Sequence, residues 1–110
     1  MSTDATSAIE HLKRVTALAE RLAARGIAIY EHSYHMLAFG SWTIVAGRRN
    51  RRVKFSWDGR DEFLEIQVAE HDSSAMPARW SHIRTEQIKA RDLNIPFQYV
   101  EDYLLTHYAD

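Results

Sequence analysis

The sequence predicts a small α+β domain with an N-terminal helix, a four-stranded antiparallel meander sheet, and one or two C-terminal helices packed on the sheet. Three observations predict it: helical periodicity near the N-terminus, two consecutive hairpins between Trp42 and Val68, and helical spacing again near the C-terminus. The 110 residues fit one domain, and the hydrophobic share of 45% is ordinary for a folded chain. We therefore interpret residues 1–110 as a single domain with a flexible tail at 1–6.

The first helix is predicted from Ser7 to Arg25. Ser7 and Glu10 have the spacing of a capping box, in which each side chain bonds to a free backbone N–H of the first turn. Gly26 then provides a natural helix terminus. The apolar stripe expected to face the core is Ile9, Leu12, Val15, Ala19, Leu22 and Ala23.

Alternation of side-chain type after Gly26 predicts a strand from Ile27 to about His35. Neither side of this strand is fully apolar, which is typical of an edge strand or of a strand with a bulge. A turn is expected at Met36–Gly40, although Gly40 alone also fits a bulge within a longer second strand.

The stretch from Trp42 to Val68 predicts two hairpins that share their central strand. A two-residue turn at Arg49-Asn50 gives the pairs Trp42/Trp57, Ile44/Phe55, Ala46/Val53 and Arg48/Arg51. A four-residue loop from Asp58 to Asp61, built on the turn dipeptide Asp58-Gly59, gives the pairs Trp57/Glu62, Phe55/Leu64 and Val53/Ile66.

Because side chains alternate along a strand, these pairs divide the sheet into two faces. The apolar face contains Trp42, Ile44, Ala46, Val53, Phe55, Trp57, Leu64 and Ile66. The other face contains Thr43, Val45, Arg52, Lys54, Ser56, Phe63, Glu65 and Gln67. We expect the first set to form the core.

The C-terminal third is less regular. Residues 69–79 are small, polar and interrupted by Pro77, which indicates a loop, and Trp80–Arg84 fits either a short strand or irregular structure. A short helix is predicted over Glu86–Leu93 and a final helix over Phe97–Tyr108, where Pro96 suits the first turn. Its expected inward residues are Val100, Tyr103, Leu104, and His107 or Tyr108.

Composition excludes several classes of protein. The chain has no cysteine, which rules out a disulfide framework, a thiol nucleophile and cysteine-ligated zinc. The polar N-terminus lacks the layout of a signal peptide, and no apolar run is long enough to span a bilayer. We expect a cytoplasmic protein without membrane contact.

Charge is balanced overall but segregated along the chain. The net charge is −1, yet residues 48–60 contain six Lys or Arg and one Asp, while residues 61–72 contain five acidic residues and no Lys or Arg. The expected register places Lys54 opposite Glu65, so cross-strand pairs are expected to neutralise much of this charge.

Metal binding and catalysis have weak support in the sequence. His32 and His35 are three apart, which points them to opposite faces of a strand and prevents joint chelation. The loop residues His71 and Asp72 are a group that the fold could bring to His82, and Glu62 with Glu65, or Tyr30 with His32, could form an acid–base pair in a curled sheet. No nucleophile motif, phosphate loop or dinucleotide fingerprint is present, so we expect no cofactor and favour a non-catalytic role.

The preferred functional interpretation is a non-catalytic protein–protein interaction domain, plausibly a homodimer. It depends on the half-apolar face of the sheet that contains Val45 and Phe63, and on the last helix having more aromatic residues than one helix face needs. The candidate partner-binding residues are Arg49, Arg51, Arg52, Phe63, Tyr99 and Tyr103. Two alternatives are nucleic-acid binding through the arginine-rich hairpin 48–54, and a small-molecule binder or enzyme with a pocket between sheet and helices.

Overall fold

A computed structural model describes residues 3–70, 79–89 and 92–109, and the loop predicted at 69–79 lies mostly outside these residues. Within these residues, two helices and five strands occur, in the order α1 (Thr3–Ala23), β1 (Ala28–His35), β2 (Ser41–Arg48), β3 (Arg51–Asp58), β4 (Phe63–Glu70), β5 (Ser81–Gln87) and α2 (Asn94–Tyr108). The α+β class is therefore confirmed. Among the described helices, none is long and apolar enough to cross a bilayer.

The five strands form one antiparallel sheet, and each strand pairs with its neighbour in the sequence. The first predicted hairpin is confirmed in every pair, from Trp42 opposite Trp57 to Arg48 opposite Arg51. The indole rings of Trp42 and Trp57 stack with their centroids 6.5 Å apart. This contact anchors the end of the hairpin far from its turn.

The second hairpin has a different register from the predicted one. Trp57 lies opposite Leu64 and Phe55 opposite Ile66, so β4 is displaced by two residues. The loop spans four residues after Asp58, whose Oδ1 accepts hydrogen bonds from the backbone N–H groups of Arg60 and Asp61. A two-residue shift keeps every side chain on its face, which is why the predicted core face was right although these pairs were wrong.

Gly59 has a different role from the one that the Asp-Gly dipeptide predicts. Positive φ in this loop occurs at Glu62, at 59°, and not at the glycine. A Cβ on Gly59 would instead lie 2.0 Å from the carbonyl oxygen of Phe39. The β3–β4 turn therefore packs directly against the β1–β2 turn, where Ser41 Oγ accepts from Gly59 N at 3.0 Å and donates to the Ala38 carbonyl at 2.6 Å.

The sheet contains a fifth strand, which begins in the segment Trp80–Arg84 that fitted either a short strand or irregular structure and continues into the predicted helix. β5 includes Glu86 and Gln87, so the predicted helix Glu86–Leu93 is wrong over its described part. The backbone N–H of Ile88 then donates to the carbonyl of Glu62, which holds the end of β5 against the β3–β4 turn. Six of the seven residues of β5, all except Glu86, are solvent-exposed, as expected of an edge strand with charged side chains.

The other edge strand, β1, agrees with its predicted bounds to within one residue. Its register with β2 shifts between Ile29 and Glu31, so it is both an edge strand and a bulged one. The predicted turn over Met36–Gly40 is present, with positive φ at Phe39 and Gly40. Gly40 therefore belongs to a turn and not to a bulge within β2.

Both helices differ from prediction in detail. α1 begins at Thr3, so Ser7 lies within the helix and residues 3–6 belong to it instead of to a tail. Its buried residues are His11, Leu18 and Leu22, whereas Ile9 and Leu12 are exposed. The buried stripe of α1 therefore includes a histidine, which a pattern of apolar residues alone does not identify.

α2 supplies Pro96, Phe97, Val100, Leu104 and Tyr108 to the core. The remaining core consists of Leu18, Leu22, Ile27, Trp42, Ile44, Ala46, Val53, Phe55, Trp57, Leu64 and Ile66. All eight residues predicted for the apolar sheet face are buried. The two helices cover this inner face and pack against each other.

Candidate functional site

The outer face of the sheet lies opposite the helices and is the first candidate surface. Its residues follow from the strand registers, and within the described chain neither helix packs on it. We define the outer face by Tyr30, Glu31, Thr43, Val45, Arg52, Lys54, Ser56, Asp58, Phe63, Glu65, Gln67, Trp80 and His82.

Cations on the outer face lie over aromatic rings. The guanidinium carbon of Arg52 is 3.6 Å from the ring centroid of Tyr30, and Lys54 Nζ is 4.6 Å from that of Trp80. Each pair stabilises its cation by attraction to the electron-rich ring face. The positive charge is therefore held close to the sheet instead of extending into solvent.

The outer face also contains two separate apolar residues, Val45 at the middle of β2 and Phe63 at the start of β4. Val45 is only 5% exposed although it belongs to the outer face, because β1 and β3 flank it with Glu31 and Lys54. Phe63 is 39% exposed and lines a shallow groove of about 570 Å³ together with Thr43 and Ser56. Both apolar residues that the sequence placed on this face are on it.

The charges of the outer face are segregated along the strands. Arg52 and Lys54 lie toward the β2–β3 turn, while Asp58 lies at the opposite end of β3. Lys54 pairs with Gln67 and Glu65 with Ser56, so Lys54 and Glu65 are diagonal neighbours and not the directly opposed pair that was predicted. Glu65 contacts His82 Nδ1 at 3.2 Å. The face thus has a basic end and an acidic side.

The six predicted binding residues do not form one surface. Arg52 and Phe63 belong to the outer face. Arg49 is exposed in the β2–β3 turn, where its carbonyl accepts from Arg52 Nη1. The guanidinium of Arg51 lies 4.5 Å from the ring centroid of Tyr108, on the helix side of the sheet.

Tyr99 and Tyr103 also lie on the helix side. Tyr99 Oη accepts from Arg84 Nη1 at 3.4 Å, and Tyr103 packs edge-on against Phe55 with centroids 5.6 Å apart. Both tyrosines are half-buried against the core. They explain the surplus of aromatic residues in α2 as packing between the helix and the sheet.

A histidine pair between α1 and β1 is the feature that sequence reasoning missed. The Nε2 atoms of His11 and His32 lie 2.7 Å apart, so one imidazole donates to the other. The ring of His11 stacks on Tyr34 with centroids 4.1 Å apart. The spacing of His11 from Val15, Leu18 and Leu22 was the available signal, since these residues share one helical stripe.

The environment of this pair favours neutral imidazoles. Burial, followed by the nearby charges of His32 and Arg14, lowers the pKa of His11 to about 4, and burial also lowers the pKa of His32. At neutral pH both rings are uncharged, and one proton lies between the two Nε2 atoms, so one nitrogen donates and the other accepts without a buried charge.

The structure describes some of the other histidines that the sequence singled out. His32 and His35 point to opposite faces as expected, since His32 pairs with Ile44 and His35 with Ser41. His71 and Asp72 lie outside the described residues, and His82 contacts Glu65. Within the part of the chain that is described, no three His, Asp or Glu side chains converge as metal ligands.

Comparison with protein-family models, with curated proteins and with solved structures gives no match to this chain. The function of the chain is therefore inferred from the surfaces of its fold.

Proposed function

We propose that this chain is a non-catalytic interaction domain that forms a homodimer through the outer face of its sheet. One observation carries the proposal: the outer face combines the apolar residues Val45 and Phe63 with a basic end and an acidic side, and neither described helix covers it. A surface of this kind is self-complementary under a twofold rotation.

The geometry of such a dimer follows from Lys54 and Glu65. These residues are diagonal neighbours on β3 and β4. A twofold axis parallel to the sheet, lying above the midpoint between these two residues and perpendicular to the line that joins them, places Lys54 of each protomer over Glu65 of its partner. The two contacts are equivalent by symmetry, so Lys54 and Glu65 of both protomers each gain an opposite charge.

The available area is adequate for a dimer of modest affinity. Five strands at ~4.8 Å spacing and eight residues at ~3.4 Å rise give a flat footprint of roughly 600 Å². Protruding side chains such as Phe63 and Tyr30 add to the accessible area, and a standard interface buries about 800 Å² per partner. The expected dimer is therefore concentration-dependent.

Light scattering over a range of micromolar concentrations tests the proposal. We expect a mass that approaches twice the 12.8 kDa of one chain, and a shift toward the monomer in Phe63→Lys. Ile9→Lys is the matched control, because Ile9 is 47% exposed on α1, away from the outer face. A monomeric mass throughout the range would contradict the proposal.

Nucleic-acid binding is the second candidate, supported by one specific observation. Tyr30 and Trp80 lie on the same face as Arg52 and Lys54, which is the combination that single-strand binding uses. Against it, these cations already occupy the ring faces, and Glu31 and Glu65 share the surface. Titration of a labelled single-stranded oligonucleotide at low and high salt tests it, since phosphate contacts must weaken as salt rises.

A further inference from the structure

A cleft lies on the helix side of the sheet, between the N-terminal half of α1, the β1–β2 turn and the start of α2. Its volume of about 440 Å³ falls within the range of ~300–1,000 Å³ that small-molecule sites occupy. Its polar residues Glu10, His11 and Arg14 lie on α1, on the helix side of the sheet, whereas Phe39, Trp42 and Trp57 line both this cleft and the groove at Phe63.

The walls of the cleft are mainly aromatic. His11 and Tyr34 form a stacked pair on one side, with centroids 4.1 Å apart. Trp42 and Phe97 pack on the other side with centroids 4.7 Å apart, and Trp57 stacks on Trp42 with centroids 6.5 Å apart. Trp42, Trp57 and Phe97 are only 3%, 4% and 6% exposed and so form an apolar floor, whereas the ring of Phe39 is 67% exposed. Such a lining holds a planar molecule by edge and van der Waals contacts.

One cation is fixed at the edge of the cleft. Arg14 Nε donates to Asn94 Oδ1 at 3.0 Å, which links α1 to the first residue of α2 and orients the guanidinium. The terminal nitrogens of a guanidinium donate independently of Nε and suit a carboxylate. Glu10 also lines the cleft, but its carboxylate is paired with Lys13 Nζ at 3.6 Å.

We infer that this cleft binds a small planar aromatic anion, held by the aromatic walls through its ring and by Arg14 through its negatively charged group. The ligand class follows from the two features together, since apolar walls alone fit neutral rings equally well. The inference does not depend on self-association, because Arg14 lies on the helix side and the cleft shares no charged residue with the outer face, although Phe39, Trp42 and Trp57 also line the groove at Phe63.

Proton NMR of the tryptophan indole N–H signals in the full chain, titrated with 2-naphthoate, tests the inference. Single Trp→Phe variants assign the three signals. We expect saturable shifts of the Trp42 and Trp57 signals, while the signal of Trp80, on the outer face, stays in place. No saturable shift up to millimolar ligand, or equal shifts at all three tryptophans, would overturn it.

The anionic part of the inference has its own test. Arg14→Gln is expected to weaken 2-naphthoate roughly tenfold and to leave the neutral analogue 2-naphthalenemethanol unchanged. Lys13→Gln removes the same charge from a neighbouring position of α1 that does not line the cleft, so it is expected to retain affinity. Equal affinity of Arg14→Gln and Lys13→Gln for 2-naphthoate would overturn the role of Arg14.

Discussion

His11 on α1 and His32 on β1 share one hydrogen bond, with their Nε2 atoms 2.7 Å apart. His11 is 4% exposed, so the only polar ring in the buried stripe of α1 meets the polar ring that faces it from the sheet. This pairing allows α1 to pack on the sheet without a buried charge at neutral pH.

The histidine pair makes stability depend on pH. In the unfolded chain His11 titrates near its ordinary pKa of 6.5, and in the folded protein its pKa is about 4, with His32 and Arg14 facing it. Because the unfolded chain then binds the proton more readily, the stability present above pH 6.5 is lost as the pH falls toward 4. The loss from His11 is up to about 3 kcal/mol.

Urea unfolding at several pH values between 7.5 and 4 measures this loss. We expect His11→Gln to flatten the dependence, since glutamine does not titrate, and the exposed His35→Gln to leave it as in the natural protein. An unchanged pH dependence in His11→Gln would show that another group is responsible.

The fold was predictable where local patterns and tertiary packing agree. The Arg49-Asn50 turn fixes the first hairpin by loop length, and the apolar face between Trp42 and Ile66 follows from alternation. The strand at Trp80–Arg84 stayed one of two alternatives, and Glu86 and Gln87 were assigned to a helix, because an exposed edge strand carries no apolar alternation. The register of β4 depends on the loop conformation, which Asp58-Gly59 alone does not determine.

The candidate sites were less predictable than the fold. Sequence reasoning placed Val45 and Phe63 on the outer face correctly. It did not foresee that Lys54 lies over Trp80, because that contact depends on how the chain enters β5. The cleft at Arg14 joins residues 80 positions apart, Arg14 and Asn94, and no local pattern links them.

The contact between the two turns predicts different costs for two alanine substitutions. Gly59→Ala places a Cβ 2.0 Å from the Phe39 carbonyl oxygen, so the turns must separate, and we expect a loss of about 2–4 kcal/mol. Gly40→Ala has space around its Cβ but retains φ near 72°, and the expected loss is about 1–2 kcal/mol. Urea unfolding compares them, and a smaller loss in Gly59→Ala would refute the close packing of the turns.

The ion pair between the helices is expected to couple them. Arg21 binds both carboxylate oxygens of Glu101 through Nε and also contacts Oε1 through Nη2 at 2.8 Å. A double-mutant cycle with Arg21→Gln and Glu101→Gln should give a coupling free energy of about 0.5–1 kcal/mol that decreases with salt. The exposed pair Lys13–Glu10, within one helix, is the control and should couple more weakly. Equal coupling in both pairs would contradict a specific link between α1 and α2.

Mixing two charge-reversed variants is the most direct test of dimerisation through the outer face. Lys54→Glu and Glu65→Lys each place like charges together at both symmetric contacts of the proposed dimer, so each variant alone should be largely monomeric by light scattering. In an equimolar mixture every contact regains opposite charges. We expect the mixture to reach twice the 12.8 kDa mass of one chain at concentrations where each variant alone does not. If the mixture scatters as the average of its two components, the outer faces do not pair and the account is contradicted.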